Sequence, residues 1–503
     1  MTHERIDSLT SWHADWSGLR VAVLGLGVTG FSVADTLAEL GCAVLATSAS
    51  ADETMTAILD VIGVELLLAD LDAGVPDRLK EFHPELIVVS PGFVPRHPVV
   101  AWAHTSGAAV WGDIELAWRL RDKTGTPAEW ITVTGTNGKT TTVQLTAAML
   151  AAGGFRAAPC GNVGTPVLDA IRDPAGFDVL VVELSSFQLH YLGSISPWAS
   201  ACLNVADDHL DWHGSAEAYR AAKGRVYENT RIACVFNRDD PTTRNLVEEA
   251  DVVEGCRAIG FGLSIPGPSD FGVVDGIACD RAFLDDRRDT ALEIATIGEL
   301  SDAGLGSPHL VADALAASAL ARAFGTPIDA VRSALLAFHA DHHRVETVAR
   351  SAGVTWIDDS KATNPHAARA SLTAFGSVVW IVGGLFKGAS PDDLIASVAG
   401  RLRGAVVIGK DRAEVLEAFA RHAPGLPVIA VDTAETEDVM PTAVRLAAGF
   451  ALDGDVVLLA PAAASMDQFT DYADRGRRFA RAVQEMVGGD ADDDERSAPP
   501  SRG

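Results

Sequence analysis

Short apolar runs alternate with longer stretches of helical spacing along most of the chain. Arg20-Val-Ala-Val-Leu-Gly25 predicts a first strand, and the apolar positions from Phe31 to Leu40 recur at helical spacing. Strands at Ala43–Thr47 and Leu86–Ser90 follow, and this first unit ends after Ile114–Leu120. The polar, turn-rich Arg121–Pro127 suits a linker. A second unit begins with a strand at Trp130–Thr134 and a helix from Thr141 to Ala152. It continues with strands at Val179–Val182 and Ala233–Phe236 and an Ala-rich helix at Ala312–Phe324. A third unit carries strands at Val354–Ile357, Val378–Val382, Ala405–Ile408, Pro427–Val431 and Val456–Leu459. Apolar strands that alternate with helices predict an α/β fold with parallel, doubly wound sheets. The stretch Gly488–Gly503, rich in Asp, Pro and Ser, predicts a disordered tail, and no short repeat occurs.

The length of 503 residues predicts two to four domains at roughly 100–200 residues each. With 48% hydrophobic residues, each can bury a core. The formal charge of −28, from 40 basic and 68 acidic residues, disfavours nucleic acid and anionic membranes as partners. An anionic substrate therefore needs a locally basic or backbone-lined pocket. The six cysteines are scattered without a CxxC pair, which excludes the usual zinc spacing and suits a reducing cytosol. The charged N-terminus has no apolar core of a signal peptide, and no run of ~18 apolar residues predicts a membrane span.

Gly135-Thr-Asn-Gly-Lys-Thr140 stands between a predicted strand and a predicted helix. Glycines let backbone N–H groups face phosphate oxygens, and the helix N-terminus favours negative charge. Lys139 would reach the β/γ-phosphates and Thr140 would ligate Mg²⁺. Val133 replaces the first glycine of the longer Walker pattern, so the loop alone says only polyphosphate. Glu183 ends a predicted strand, where a carboxylate either holds magnesium or is simply solvated. His209, in Asn204-Val-Ala-Asp-Asp-His209, is either a metal ligand or a surface histidine. Lys223 lies on a helix pattern, where a lysine is usually solvated.

Gly25-x-Gly27-x-x-Gly30 follows the first strand as a dinucleotide fingerprint does. The second strand ends Val44-Leu-Ala-Thr-Ser48, with no acid for ribose hydroxyls, which argues against a nicotinamide cofactor. The loop suits another diphosphate, such as a nucleotide-sugar, or it is a glycine turn that binds nothing. In the third unit, Ala340–Glu346, Trp356–Asn364, Gly383–Gly388 and Ala460–Phe469 place polar clusters at or near strand ends. Together they suit one site on a sheet edge, with Arg and Lys fitted to phosphates and carboxylates.

Taken in order, these motifs resemble one family. Gly135–Thr140, Gly161-Asn-Val-Gly164, Glu183-Leu-Ser-Ser-Phe-Gln188, Asn204–His209 and His343-Arg344 look like the Mur ligases, which add amino acids to the peptidoglycan precursor. Gly112-Asp-Ile-Glu-Leu116, Asp359–Asn364 and Ser465-Met-Asp-Gln-Phe469 resemble the branch that adds D-glutamate. The resemblance spans nearly the whole chain, except its two ends. It implies a Rossmann-like substrate domain at 1–122 for the UDP-sugar and a P-loop ATPase-type domain at 128–342. A Rossmann-like amino-acid domain follows at 343–487, with the tail at 488–503. The implied activity is ATP-dependent addition of D-glutamate to UDP-N-acetylmuramoyl-L-alanine through an acyl phosphate, by a cytoplasmic monomer that binds no nucleic acid.

The same resemblance implies roles residue by residue. Gly135, Thr136, Asn137, Gly138, Lys139, Thr140, Thr141, His309, Asp313, Arg344 and Asp359 match ATP contacts. Thr140 and Glu183 match ligands of one Mg²⁺, His209 a ligand of a second, and Lys223 a lysine that is carbamylated to serve there. Lys139, His209 and Lys223 are thus the expected catalytic groups. Val28, Thr29, Thr47, Ser90, Gly92 and Asn162 match UDP-sugar contacts, and Thr363, Lys387, Ser465 and Tyr472 match the D-glutamate site. Relatives carry Asp-Thr-Arg where this chain has Ala46-Thr47-Ser48, so uracil recognition must differ in detail. Relatives carry His-Asn…Asn where this chain has His309-Leu310…Asp313, so Leu310 and Asp313 depart, while His309 and Asp313 stay the matching contacts.

Rival readings are weaker. A folylpolyglutamate synthase lacks the first glycine-loop domain, and a diamino-acid ligase would show Asp-Asn-Pro-Arg in its third domain. A nicotinamide oxidoreductase leaves Gly135–Thr140 unexplained. A regulatory nucleotide-binding protein leaves the third-unit clusters unexplained.

Overall fold

The computed structural model describes residues 2–338, 343–433 and 435–497. The chain forms two compact units. One contains residues up to Val205 and Trp212–Phe338; the other contains Ala206–Asp211 and the described chain from His343 onward.

The first unit holds two sheets. The first comprises β1 (Arg20–Leu24), β2 (Ala43–Ser48), β3 (Glu65–Leu68), β4 (Leu86–Val89) and β5 (Ala109–Gly112), in the order β3-β2-β1-β4-β5. Every pairing is parallel. The strand order reverses between β1 and β4, and ligands of open α/β sheets bind at such a point. The second sheet comprises β6 (Glu129–Thr134), β7 (Ala157–Gly161), β8 (Val179–Glu183), β9 (Ala199–Cys202), β10 (Ala233–Asn237), β11 (Arg257–Phe261), β12 (Asp270–Val274), β13 (Ile277–Asp280) and β14 (Leu292–Thr296). Its order is β14-β13-β12-β11-β10-β9-β6-β8-β7. Helix Lys139–Ala152 follows β6, and helix Pro308–Ala323, apolar almost all round, is buried. One apolar core serves both sheets: Trp118 of helix Asp113–Leu120 meets Trp130 of β6 edge-on at 5.1 Å. Glu115 of that helix accepts from Gly193 N, Ser194 N and Ser194 Oγ at 2.9, 2.8 and 2.6 Å.

The second unit holds β15 (Glu346–Ser351), β16 (Val354–Asp358), β17 (Val378–Val382), β18 (Leu402–Val407), β19 (Val428–Ala430) and β20 (Val456–Leu459), in the order β15-β16-β20-β17-β18-β19. Trp380 of β17 is fully buried, and its indole donates to Ala460 O at 2.7 Å.

Two expectations need correction. The sheets are not purely parallel, because β12–β14 and the β15–β16 pair are antiparallel. For the β12–β13 and β15–β16 pairs the cause is local: Asp275-Gly276 and Ala352-Gly353 all have positive φ, as two-residue hairpin turns with the right twist require; β13 and β14 are joined by the longer stretch 281–291. The tail expected to be irregular from residue 488 continues as helix Tyr472–Ser497, while 498–503 lies outside the described residues. Buried Phe479, Ala482 and Val483 anchor this helix, and propagating a helix costs far less than nucleating one.

Candidate active site

Gly138 is the steric key of the phosphate loop. It caps helix Lys139–Ala152 with φ +83°, and a Cβ there would lie 2.2 Å from Asp313 Oδ1. Both the backbone conformation and the buried carboxylate beneath it demand glycine. No side chain caps the helix start, which leaves it suited to an anion. Lys139 Nζ curls back over the loop and donates to Gly135 O and Thr136 O at 2.8 and 2.9 Å. Asn204, two residues past the end of β9, clamps the loop: its Oδ1 accepts from Asn137 N at 2.8 Å and its Nδ2 donates to Asn137 O at 3.1 Å. Thr140 and Thr141 are buried in the first helical turn.

Lys223 is not a solvated helix lysine. Its side chain is buried, its Nζ donates to Gly135 O at 2.8 Å, and it lies 4.8 Å from the Tyr219 ring centroid. Tyr219, one turn earlier on helix Ala216–Gly224, has its hydroxyl 3.0 Å from Thr136 Oγ1. One helix face therefore braces the phosphate loop at two points.

Glu183 ends β8, in register with Val133 of β6. It is buried; Oε1 accepts from Asn162 Nδ2 at 3.0 Å, and Oε2 has no hydrogen-bond partner. A buried carboxylate oxygen without a donor requires a ligand to explain it, and a hard divalent cation is the natural one. The residues present therefore fit magnesium. His209 belongs to the Ala206–Asp211 segment grouped with the second unit. Its φ is +53°, and its Nε2 lies 3.7 Å from Asp208 Oδ2. His309 begins helix Pro308–Ala323, with Nε2 3.4 Å from Ser307 Oγ.

In the first sheet, Gly25–Gly30 after β1 and Ser90–Val94 after β4 line a cleft of about 590 Å³, the size of a nucleotide site. A Cβ at Gly30 would lie 1.9 Å from Gly25 O, so only glycine permits this turn. Val28, Thr29, Ser90 and Gly92 all line the cleft. Thr47 does not: it is fully buried, and its hydroxyl donates to Val23 O at 3.1 Å. The alternation of β2 turns this side chain into the core, which removes the side-chain contact expected of it.

The third sheet joins three of the sequence clusters at the ends of adjacent strands. Leu385 and Ala464 exchange two backbone hydrogen bonds of 2.9 Å, and Ala462 N donates to Ala362 O at 2.9 Å. These bonds tie the loops carrying Lys387, Ser465 and Thr363 together. Lys387 itself has φ +51°. Tyr472 OH accepts from Lys361 Nζ at 3.3 Å. Of the cluster Ala340–Glu346, residues 340–342 lie outside the described residues. His343 Nδ1 lies 2.6 Å from Asp358 Oδ2.

Sequence reasoning missed Lys361 and Arg475. Arg475 is fully buried; it donates to Ser360 Oγ, Ser360 O and Ala463 O at 2.9, 2.8 and 3.0 Å. It thereby splints two of the site loops, and burial lowers its pKa to about 10. Only its burial distinguishes it from the neighbouring arginines, and no local pattern reports that.

Burial also raises the Asp359 carboxyl to about 7, against opposing effects from the Ser371 hydroxyl and Arg344. The folded chain thus retains a proton that the unfolded chain releases near 3.8. Stability of the ligand-free protein is expected to fall as pH rises from about 4 to about 7 through this group. Urea unfolding at several pH values checks it: Asp359→Asn should flatten that slope, and an unchanged slope would refute the assignment.

By fold and by site, the chain is an enzyme of the nucleotide-dependent α/β class. Three domain families match in order: the Mur ligase MurD-like N-terminal domain at 19–112, the Mur ligase middle domain at 133–273 and the Mur ligase glutamate ligase domain at 343–463. The chain is 66% identical to the UDP-N-acetylmuramoylalanine–D-glutamate ligase of Leifsonia xyli subsp. xyli, covering 100% of this chain and 99% of the relative. It is 52% identical to the protein of that name from Streptomyces coelicolor, covering 94% and 99% respectively. Among solved structures it resembles the UDP-N-acetylmuramate–alanine ligase MurC of Thermotoga maritima with a TM-score of 0.54 and 19% identity, over 93% of this chain and 100% of that one. It also resembles the MurF ligase of Thermotoga maritima in complex with ADP, with a TM-score of 0.53 and 18% identity, over 93% and 96%. Those two likenesses concern the fold alone. The chain belongs to the Mur ligase family.

Proposed function

We infer that this chain catalyses the ATP-dependent addition of D-glutamate to UDP-N-acetylmuramoyl-L-alanine, giving UDP-N-acetylmuramoyl-L-alanyl-D-glutamate, ADP and phosphate. This is a step in peptidoglycan precursor synthesis. The observation that carries it is 66% identity along the full chain to a relative bearing that activity in its name. The loop at Gly135–Thr140 supports the ATP half, and the joined loops of the third sheet support an anionic amino acid.

The domains divide the work: 1–122 takes the UDP-sugar, 128–342 ATP, and 343–487 D-glutamate. The L-alanine carboxylate oxygen attacks the γ-phosphorus and ADP leaves, giving an acyl phosphate. The D-glutamate amine then attacks the acyl carbon, and the tetrahedral intermediate expels phosphate. Lys139 leaves its loop carbonyls to neutralise charge on the transferring phosphoryl group. Gly135–Thr141, His309, Asp313, Arg344 and Asp359 hold the nucleotide. Thr140 and Glu183 would hold one Mg²⁺, and His209 with carbamylated Lys223 a second; these ions supply charge neutralisation on the phosphates. Asn162, already bonded to Glu183, links that carboxylate to the UDP-sugar side. Thr363, Lys387, Ser465 and Tyr472 hold the D-glutamate carboxylates, with Lys387 as counter-charge.

We place the enzyme in the cytoplasm as a monomer. No helix among the described residues is long and apolar enough to cross a membrane. The test is phosphate release from ATP with UDP-N-acetylmuramoyl-L-alanine and a panel of amino acids. D-Glutamate alone should support turnover, and release that does not require it would overturn the assignment.

A further inference from the structure

The cleft of the first sheet contains a pair that the reaction above does not use. His97 caps the start of helix Pro98–Thr105, and its Nδ1 accepts from Val99 N at 3.2 Å. Nδ1 is therefore unprotonated in the neutral ring, and the ring proton sits on Nε2. Nε2 lies 2.9 Å from Asp72 Oδ1 and donates to it. Phe93 packs edge-on against the imidazole at 5.0 Å and holds the ring in place. Asp72 is thus aimed from below although its side chain is 91% exposed, and His97 occupies only one of its two oxygens.

Three observations say what that carboxylate faces. Among the described residues lining the cleft, Asp72 is the one acid. The phosphates of a bound nucleotide belong at the glycine turn and the uncapped start of helix Val28–Glu39, where backbone N–H groups and helix dipole attract anions. A carboxylate repels phosphate, so Asp72 must meet a part of the ligand that donates hydrogen bonds. Meanwhile the end of β2, where a fingerprint of this kind carries its ribose-binding acid, offers only Ala46, a buried Thr47 and Ser48.

We propose that Asp72, aimed by His97, is the ribose-reading carboxylate of this chain, accepting hydrogen bonds from the uridine hydroxyls of the UDP-sugar. The acid missing from β2 is supplied instead from the loop after β3. Val28, 75% exposed at the cleft rim, and the Phe93 ring give the base an apolar surface. This rests on the reading of the cleft as a UDP-sugar site. Asp72 touches substrate; His97 is a positioning residue.

The test is equilibrium binding of UDP, 2′-deoxy-UDP and 3′-deoxy-UDP to the full chain and to Asp72→Asn. Asp72 is exposed, so the variant should fold, with thermal unfolding close to wild type. Wild type should prefer UDP over at least one deoxy form by about tenfold, the value of one hydrogen bond to a charged group, and Asp72→Asn, which removes the charge but keeps an acceptor oxygen, should clearly weaken that preference. His97→Gln should reduce the preference and leave the KM for ATP unchanged, a split that mere loss of stability would not give. A variant that keeps the full preference overturns the proposal, as does one that loses all three ligands equally. Wild-type protein that ignores UDP altogether overturns the UDP-sugar reading itself.

Discussion

Lys139→Ala should reduce the rate of phosphate release by about 10²–10³-fold, as the loss of one preorganised charge on a transferring phosphoryl group does. The effect should fall on kcat, with the KM for the UDP-sugar unchanged, because the UDP-sugar cleft lies at another sheet. A purely structural role would behave differently. Lys139 Nζ bonds two carbonyls of its own loop, so its removal also loosens Gly135 and Thr136. Those bonds are partly exposed, and losing them costs about 1 kcal/mol of stability. Thermal unfolding of the unliganded variant should therefore shift by only a few degrees, too little to explain the rate. Wild-type turnover by Lys139→Ala would remove the phosphate loop from the mechanism.

Lys223→Ala should be nearly inactive, and short carboxylates such as acetate or formate should restore part of the rate. A buried lysine that donates to the loop has two possible uses. As an ammonium it braces Gly135 O; as a carbamate it adds an anionic oxygen suited to a hard cation. Truncation removes both, so loss of activity alone does not separate them. Rescue by a carboxylate does, since it returns an oxygen donor and not a cation. Lys223→Arg keeps a cation and cannot carry the carbamate, and it should be inactive without rescue. Depleting carbon dioxide from the buffer should lower wild-type turnover, and bicarbonate should restore it. A fully active Lys223→Ala would sink the reading.

Much of this was legible in the chain because it is local. The glycine turns at Gly25–Gly30 and Gly135–Thr140, each between a strand and a helix, need no distant residue to form. The predicted strands lie within three residues of the observed ones at either end. The elements that went unread have physical reasons. β9 is Ala-Ser-Ala-Cys, too small and polar to register as an apolar run, yet it is buried on both faces. β3 is four residues at a sheet edge and half-exposed. Asp275-Gly276 is a strong hairpin signal, but its flanking strands are only partly buried and lack clean alternation.

The candidate site divides along the same line. Residue types in order along the chain determined the family, the phosphate loop and the motif residues of three sheets, since backbone geometry and short spacings dictate those. Tertiary structure alone decided which polar groups lost their water. It buried Lys223 and Arg475, left Glu183 Oε2 without a donor, turned Thr47 inward and joined the loops of Thr363, Lys387 and Ser465. It also aimed Asp72 through a histidine 25 residues away. Burial and pairing depend on which distant segments pack together, and no local pattern encodes them.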